Sequence, residues 1–439
     1  MPARTPRPGA STAVGRAVVA ISLALVALAG VSTPSPLGAA TPPPPTPVPP
    51  NGSPSPFPTV LRTPPPSAVP PRLTSPSAIL EDVDSGQVLF AKHADRRRPI
   101  ASLTKVMTAL VVLEDASPDE TVVVSARAAG TRGSQLGLVV GERISVQQLL
   151  YALLMQSSND AAIALAEHVG GSVEAFVGLM NHMAEQMGLR RTRFRDPAGL
   201  DDRGYSTAHD LAVIVRAAYA EPLFARITRT KFHRIRAPSG PVRRIQNRNV
   251  LLWLYPGAIG VKTGFTSPAR HCLVAAAERD GARLLAVALG SPGHDAAGVF
   301  IDGASLLNLG YGAFQRVALV AGGQSLGRVM VEGRPVETVA HEELTLFVRR
   351  DQVAGISRAL VVDTGLLLPV IAGQRVGEEV VLVRGKRVGT IEAVAAGTVW
   401  RSTTPLVPSL QRGGNAAAAL LATLRLITAM LKSLFEAFL

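Results

Sequence analysis

The chain has 439 residues, which is too long for one ordinary hydrophobic core and predicts two folded domains with additional segments. A hydrophobic content of 47% excludes a disordered chain, and the single cysteine, Cys272, excludes a disulfide framework and is interpreted as a small buried residue rather than a reactive thiol. The net charge of +13 comes from Arg-rich segments without interleaved aromatic residues, which excludes a nucleic-acid platform. We interpret these segments as a solvated surface, with attraction to an anionic membrane or wall polymer as the alternative.

The first 40 residues have the order of a secretory signal peptide. Three arginines precede an uncharged, largely apolar stretch from Ala17 to Val31, and the small residues Gly38, Ala39 and Ala40 follow. This stretch is shorter than the ~20 residues that cross a bilayer comfortably, so a cleaved signal is favoured over an N-terminal anchor. We therefore expect an exported protein, cleaved near Ala40, that acts at the extracytoplasmic face of the membrane or in the cell wall.

Residues 41–75 form a predicted linker. Half of the residues from Pro42 to Pro71 are proline, so the segment has few amide donors and little apolar surface to bury. We expect a semi-rigid spacer that holds the folded part away from a membrane or wall. A docking site for a proline-reading module is the alternative.

The next segment, residues 76–312, is predicted to be one folded domain. Residues 77–92 alternate apolar and polar around Asp84-Ser85-Gly86, which predicts a β-hairpin. A helical pattern runs from Ser102 to Glu114 and places Ser102 at a helix N-terminus. Further helical patterns cover residues 146–155, 160–168, 173–187 and 208–220, and strand-like runs cover 272–277 and 283–289. The first and last strands are therefore expected to pair in one sheet.

The C-terminal part divides into two predicted elements. After Gly312, short Val/Leu-rich runs separated by glycines predict a small all-β domain over residues 313–402. From Ala416 to Leu439 only three residues are charged, and at 3.6 residues per turn they fall on one stripe. Residues 413–439 therefore predict an amphipathic helix in a membrane interface, with a core-packing or a spanning helix as the alternatives.

A serine with a lysine three residues later suggests nucleophilic catalysis. A hydroxyl needs a base within hydrogen-bond reach, and residues i and i+3 share one face of a helix, so the Lys105 amine can approach the Ser102 oxygen. Lys105 acts as a base only if burial or a second cation lowers its pKa. Lys262 is the predicted second cation.

Two later segments complete a set of three motifs, Ser102-x-x-Lys105, Ser157-Ser158-Asn159 and Lys262-Thr263-Gly264, which penicillin-binding proteins share with class A β-lactamases. In this interpretation, Ser157 relays a proton to the leaving group and Asn159 bonds the substrate backbone. Lys262 and Thr263 meet the substrate carboxylate, and Gly264 lets substrate approach the strand edge. The amides at the start of the Ser102 helix and at Phe265 are candidates for an oxyanion hole.

The resemblance extends beyond these motifs. The chain resembles the low-molecular-mass penicillin-binding proteins that are serine-type D-alanyl-D-alanine carboxypeptidases over residues 78–113, 196–201, 206–208, 247–249 and 255–267. The resemblance implies an α/β (α+β) fold: a β-lactamase/transpeptidase-like antiparallel sheet with flanking helices and an all-helical subdomain, then a small all-β domain. It also implies that the C-terminal helix is a membrane anchor.

The implied reaction removes the terminal D-alanine from peptidoglycan stem peptides through an acyl-enzyme on Ser102, without a cofactor. β-Lactams would acylate the same serine. The spacing of the eight His predicts no metal site, and no nucleic-acid partner is expected.

Two positions depart from the family pattern. Val299 stands before Phe300-Ile301-Asp302 where the family commonly carries an arginine thought to hold the substrate carboxylate. Ser158 stands where the family usually has glycine.

Two rivals share these motifs. A class A β-lactamase would need a deacylating glutamate, but residues 193–197 read Arg-Phe-Arg-Asp-Pro. A wall-binding protein that has lost turnover is the second rival, and Val299 is the only hint of it. A Ser-His-Asp hydrolase is excluded because the chain has no Gly-x-Ser-x-Gly elbow.

Overall fold

The computed structural model describes residues 69–401 and 423–429. The predicted signal peptide, most of the linker and most of the C-terminal helix lie outside the described residues. Residues 423–429 are helical and exposed.

The described chain contains both strands and helices up to Ala313 and is mostly strand after it. The strands are β1 (Ser77–Asp82), β2 (Val88–Lys92), β3 (Thr121–Val123), β4 (Arg143–Ser145), β5 (Phe232–Ile235), β6 (Arg243–Gln246), β7 (Ala258–Thr266), β8 (Arg270–Arg279), β9 (Ala282–Ser291), β10 (Phe314–Val320), β11 (Ser325–Val331), β12 (Arg334–Ala340), β13 (Leu344–Arg349), β14 (Ile356–Val362), β15 (Arg375–Val383) and β16 (Lys386–Ala395). The α-helices are α1 (Lys105–Asp115), α2 (Ala126–Ala129), α3 (Val146–Tyr151), α4 (Asn159–Gly170), α5 (Val173–Gln186), α6 (Ala208–Tyr219), α7 (Pro222–Arg229), α8 (Leu251–Leu254) and α9 (Ala297–Ala313).

The central sheet has the order β2-β1-β9-β8-β7, and every neighbouring pair is antiparallel. Ile79 of β1 lies opposite Val287 of β9, so the two ends of this domain pair in one sheet, as the sequence predicts. The order also leaves β7, the strand with the Lys-Thr-Gly motif, at one edge.

Both faces of the sheet are covered. Successive side chains of a strand point to opposite faces. In β8 and β9, Val274 and Val287 belong to the core that contains α1 and α6, whereas Leu273 and Ala286 belong to the core that contains α9. The nucleophile helix and α9 therefore lie on opposite faces.

The helical subdomain is built from α2 to α5, which pack with α1. Four helices begin at a Ser or Thr whose hydroxyl accepts a hydrogen bond from the amide three residues later, namely Ser125, Ser145, Ser172 and Thr207. Each cap satisfies one of the amides that a helix start leaves unpaired. Within the described ranges, no single helix is long and apolar enough to cross a membrane; α4 and α5 pass that test only together, with a bend of 83°.

The C-terminal domain is all-β apart from a short 3-10 turn (Arg350–Gly355), as the sequence predicts. Its main sheet has the order β11-β12-β16-β15-β14, and β10 pairs with β13 in a second sheet. Gln87 connects the domains: its side-chain amide donates to the Phe347 carbonyl and accepts from the Phe347 amide, both at 2.8 Å.

The first folded domain has contacts before residue 76. The buried Asp302 carboxylate accepts hydrogen bonds from the amides and hydroxyls of Thr74 and Ser75 at 2.5 to 3.0 Å. Lys92 Nζ also donates to the carbonyls of Leu73 and Ser75. The residues just before β1 are therefore part of the fold.

Candidate active site

Ser102 lies in a tight turn that leads into α1. The sequence predicts a helix from Ser102, and the structure instead has a 3-10 turn over Ala101–Thr104 that passes into α1 at Lys105. Ala101 has a left-handed backbone, with φ of +47°, directly before the nucleophile. The three-residue spacing still brings Lys105 Nζ to 2.9 Å from Ser102 Oγ.

Lys105 is fully buried and surrounded by oxygen atoms. Its Nζ lies 2.8 Å from Asn159 Oδ1 and 2.6 Å from the Ala198 carbonyl oxygen, in addition to Ser102 Oγ. Burial lowers its pKa to about 7, because desolvation disfavours the charged form; Asp196 opposes this shift and Arg248 adds to it.

The three partners of Lys105 determine where its lone pair points. A neutral amine has two N–H donors and one lone pair. Asn159 Oδ1 and the Ala198 carbonyl can only accept hydrogen bonds, so they take the two N–H groups. The lone pair is then directed at the Ser102 hydroxyl, which is the arrangement that a general base requires.

Asn159 and Ser157 are placed by a break between two helices. Residues Ala152–Gln156 form a π-helical turn, and Ser157 follows with a left-handed φ of +65°. The Asn159 amide is held between Lys105 and the Arg132 carbonyl, to which it donates at 2.8 Å. The sequence prediction that Asn159 bonds substrate stays a prediction, and the structure adds a contact with the base.

Ser158 is fully buried, and its Oγ has no hydrogen-bond partner among the described residues. The side chain that stands in place of the family's glycine is therefore accommodated inside the protein. The adjacent Ser157 is 4% exposed. Both neighbouring serines are therefore buried.

Two aspartates that the site prediction omitted hold loops against the site. The Asp196 carboxylate accepts hydrogen bonds from the amides of residues 198–201 at 2.7 to 3.1 Å, which fixes the Ala198 carbonyl that faces Lys105. The Asp160 carboxylate accepts from the amides of residues 136–138 at 2.9 to 3.1 Å. For Asp196 the signal in the sequence was the turn-forming Pro197-Ala198-Gly199 that follows it. Asp160 lies in the first turn of α4 and bonds a loop 22 to 24 residues earlier in the chain, so the local sequence gave no such signal.

The Lys-Thr-Gly motif lies on edge strand β7. Lys262 is 1% exposed, and its Nζ donates to the Thr263 carbonyl at 2.8 Å. Burial lowers the pKa of Lys262 well below its usual range, and the positive charges of Lys105 and Arg248 lower it further. The sequence analysis expects burial or a second cation to lower the Lys105 pKa and names Lys262 as that cation. In the structure burial is the main cause, and the cation that lowers the pKa further is Arg248.

Gly264 allows β7 to approach the nucleophile turn. A Cβ at this position would lie 3.0 Å from the Ile100 carbonyl oxygen and 3.1 Å from the Ser102 amide nitrogen. The predicted role in substrate approach stays a prediction. Next to it, the Phe265 side chain is 55% exposed and its ring lies 4.5 Å from that of His271.

Arg248 is a residue at the site that the sequence prediction did not assign. Its guanidinium donates to Ser134 Oγ at 2.7 Å, and its backbone amide donates to the carbonyl of Met155, just before Ser157. Its charge lowers the pKa of both Lys105 and Lys262. The signal was the Asn-Arg-Asn segment, which the sequence analysis used only for its resemblance.

Val299 lies away from this cleft. It belongs to α9, is 2% exposed and packs in the core on the face of the sheet opposite α1. The arginine whose charge acts on both lysines of the site is Arg248.

Comparison with known proteins gives one family. The family model described as D-alanyl-D-alanine carboxypeptidase matches residues 65–293. D-alanyl-D-alanine carboxypeptidase DacF of Bacillus subtilis is 30% identical over 311 residues, which are 69% of this chain and 79% of that protein. D-alanyl-D-alanine carboxypeptidase DacB2 of Mycobacterium tuberculosis is 42% identical over 210 residues, 47% of this chain and 72% of that protein.

Solved structures have the same fold. Penicillin binding protein 5 from Haemophilus influenzae has a TM-score of 0.67 at 29% identity, covering 76% of this chain and 99% of that structure. Penicillin binding protein 6B from Escherichia coli has a TM-score of 0.61 at 31% identity, covering 74% of this chain and 96% of that structure. These similarities confirm the predicted fold class.

Proposed function

The chain belongs to the D-alanyl-D-alanine carboxypeptidase family. We propose which of its residues carry out each step of the reaction. The chain is a serine-type peptidase that removes the terminal D-alanine from peptides of peptidoglycan and binds β-lactams.

Acylation begins at the Ser102–Lys105 pair. Ser102 Oγ attacks the carbonyl carbon of the penultimate D-alanine, and the neutral Lys105 amine takes the hydroxyl proton. The observation that carries this step is the 2.9 Å contact between these two groups together with a Lys105 pKa of about 7. A base with this pKa is half deprotonated near neutrality, where proton transfer is most effective.

The tetrahedral intermediate then collapses to an acyl-enzyme. The amides of Ser102 and Phe265 stabilise its oxyanion, and Ser157 relays the proton held by Lys105 to the nitrogen of the departing D-alanine, which leaves Lys105 neutral again. A water molecule then attacks the ester carbonyl, and Lys105 accepts the proton of this water. As the ester bond to Ser102 Oγ breaks, Lys105 returns this proton to Oγ, so that the products are the shortened peptide and the free Ser102 hydroxyl.

Arg248 and Lys262 bind the terminal carboxylate of the substrate, with the Thr263 hydroxyl as a further donor. A carboxylate gains a charge-assisted interaction with the Arg248 guanidinium, which can bind both of its oxygens. The negative charge of the carboxylate also favours the protonated form of Lys262. Asn159 and the edge of β7 hold the peptide backbone. Arg248 thus supplies the arginine that the family commonly carries at the position of Val299, in addition to the predicted contacts of Lys262 and Thr263.

The test is the intact mass of the protein after incubation with a penicillin, compared with its Ser102→Ala variant. We expect a persistent adduct that the variant lacks, followed by D-alanine release from a stem-peptide substrate. An adduct that survives in Ser102→Ala would overturn the assignment of the nucleophile. Hydrolysed penicillin without an adduct would favour β-lactamase turnover instead.

We also propose the domain organisation expected from the sequence: a cleaved signal, a Pro-rich spacer, the catalytic and β domains, and a C-terminal helix. This helix lies in the lipid-water interface at the extracytoplasmic face of the cell membrane. The exposed apolar residues Leu424, Leu426 and Ile427 support the helix assignment. Removal of residues 413–439 is expected to move the protein from the membrane to the soluble fraction. Retention in the membrane pellet would instead point to an uncleaved signal.

A further inference from the structure

The C-terminal β domain has an apolar strip that no described residue covers. Leu367, Ile371 and Trp400 are 62%, 57% and 67% exposed. Pro369, between the first two, is also exposed. Large apolar side chains grouped on a surface mark a site of interaction, whereas single ones do not. We call these four residues the tip strip.

A backbone bridge joins the two segments that carry the tip strip. Val370 and Val399 form an antiparallel bridge with hydrogen bonds of 3.0 and 2.8 Å. Leu368 and Val370 are buried, whereas Leu367, Pro369 and Ile371 are exposed, and the exposed Trp400 directly follows Val399 on the paired segment.

The strip lies at the end of the domain away from its junction with the catalytic domain. Leu368 and Val370 pack in a core with Val376 and Ala395, whereas a separate core with Val320 and Ile391 lies next to β10 and β13. The β10–β13 pair is the part that meets the catalytic domain through Phe347. The tip strip therefore covers the outer of the two cores.

The chain leaves the described domain at the same place. Arg401, directly after Trp400, is the last described residue before the segment that leads to the proposed anchor helix, and its guanidinium pairs with Glu332 at 2.9 Å. A Trp beside an Arg is a combination that suits the interface between lipid headgroups and acyl chains.

We propose that the tip strip inserts into the membrane interface as a second lipid contact, beside the C-terminal helix. This inference rests on the proposed anchor, because the anchor brings the strip close to a bilayer. Two linked contacts bind more tightly than either alone and restrict rotation about the linker. The β domain then stands on the membrane at its tip, and the catalytic domain is held at the other end.

The first experiment uses Trp400 as a reporter in the full chain. The protein has two tryptophans, so Trp253→Phe leaves Trp400 alone. With vesicles of equimolar phosphatidylcholine and phosphatidylglycerol that carry brominated acyl chains, we expect Trp400 emission to shift to shorter wavelength and to be quenched. The matched control, Trp400→Phe, retains Trp253 in the catalytic domain and is expected to show neither change.

The other outcomes separate this inference from the anchor proposal. Vesicle binding with unchanged Trp400 emission would overturn the tip contact and leave the anchor intact. No vesicle binding at all would overturn the anchor, and the tip contact with it. Trp400 emission already at short wavelength before vesicles are added would mean that another part of the chain or a second copy covers the strip, which also overturns the proposal.

A second experiment measures affinity without altering Trp400. Leu367→Ser with Ile371→Ser is expected to lower the vesicle partition coefficient by about tenfold, since less apolar surface is transferred from water. Val242→Ser with Val388→Ser removes two exposed valines elsewhere and is expected to leave partition unchanged. Both variants should acylate with penicillin like the parent protein. Equal partition of the two double variants would contradict the proposal.

Discussion

Charges of opposite sign act on the Lys105 amine at the centre of the site. Asp196 raises its pKa and Arg248 lowers it, against a background of burial that brings the pKa to about 7. Since only the neutral amine accepts the Ser102 proton, the rate of penicillin acylation is expected to rise about tenfold per pH unit below the pKa and to level off above it. Stopped-flow or quenched-flow measurement of the acylation rate against pH tests this. A rate that does not change between about pH 5 and pH 8 would argue against Lys105 as the base.

Substitutions of these two charges should move the pH profile in opposite directions. Arg248→Gln removes a cation, which raises the Lys105 pKa and shifts the rise in rate to higher pH. Asp196→Asn removes an anion, which lowers the pKa and shifts the rise to lower pH. Arg244→Gln, an exposed arginine of β6, is the control that should leave the profile in place. A shift in the same direction for both variants would mean that their effects come from structure rather than charge.

Ser157 and Ser158 offer a matched pair at the residue scale. Ser157 is proposed to relay a proton, and Ser158 is buried in the core. Ser157→Ala is therefore expected to slow D-alanine release by about a hundredfold or more, whereas Ser158→Ala should leave it nearly unchanged. Steady-state rates with a stem-peptide substrate compare the two. Equal losses in both variants would remove Ser157 from the proposed proton relay.

At the scale of elements, the approach of β7 to the Ser102 turn depends on Gly264. A Cβ in Gly264→Ala would lie 3.0 to 3.2 Å from three backbone atoms of residues 100–103, so the strand or the turn must shift. We expect acylation to slow on the order of tenfold to a hundredfold while the protein stays folded, because small displacements of reacting groups reduce rates strongly. Gly178→Ala of α5, where the added Cβ meets open space, is the control. A Gly264→Ala variant as fast as the parent would show that this spacing tolerates a methyl group.

The elements also show what the sequence can predict. Apolar periodicity identified the first hairpin, α4 to α6 and the pairing of β1 with β9, since these features follow from burial of one face. It missed the 3-10 turn at Ser102 and the π-helical turn before Ser157, because these turns share the apolar spacing of the adjoining helix and differ only in hydrogen bonding. The motifs predict Ser102, Lys105 and Lys262 as site residues. They do not reveal the effect of the Arg248 charge on Lys105 or the contact of the Ala198 carbonyl with Lys105, because these residues are distant in the chain.

At the scale of the whole molecule, the two ends of the chain are interpreted from composition alone, whereas the folded part is interpreted from contacts in the structure. The signal and anchor were predicted from composition and lie outside the described residues, except for residues 423–429. The expected domain start at residue 76 is a boundary drawn where proline content falls. Contacts of Thr74 and Ser75 with Asp302 span more than two hundred positions, as the separation of 228 between Thr74 and Asp302 shows, so composition near residue 76 could not reveal them.

This difference predicts that a soluble fragment of residues 69–401 is more stable than one of residues 76–401. The shorter fragment leaves the buried Asp302 carboxylate without the donors of Thr74 and Ser75, and an uncompensated buried charge typically costs about 3–5 kcal/mol. Denaturant unfolding of both fragments measures the difference in unfolding free energy, with loss of penicillin acylation as the signal of unfolding.

Asp302→Asn in each fragment separates this cause from a general effect of chain length. In the longer fragment the substitution weakens the hydrogen bonds from Thr74 and Ser75 and should be destabilising. In the shorter fragment it removes the uncompensated charge and should restore part of the lost stability, so that the two effects have opposite signs. If Asp302→Asn destabilised both fragments equally, the residues before β1 would contribute to stability through packing alone. The contribution of Asp302 would then come from contacts within the catalytic domain that do not involve Thr74 and Ser75.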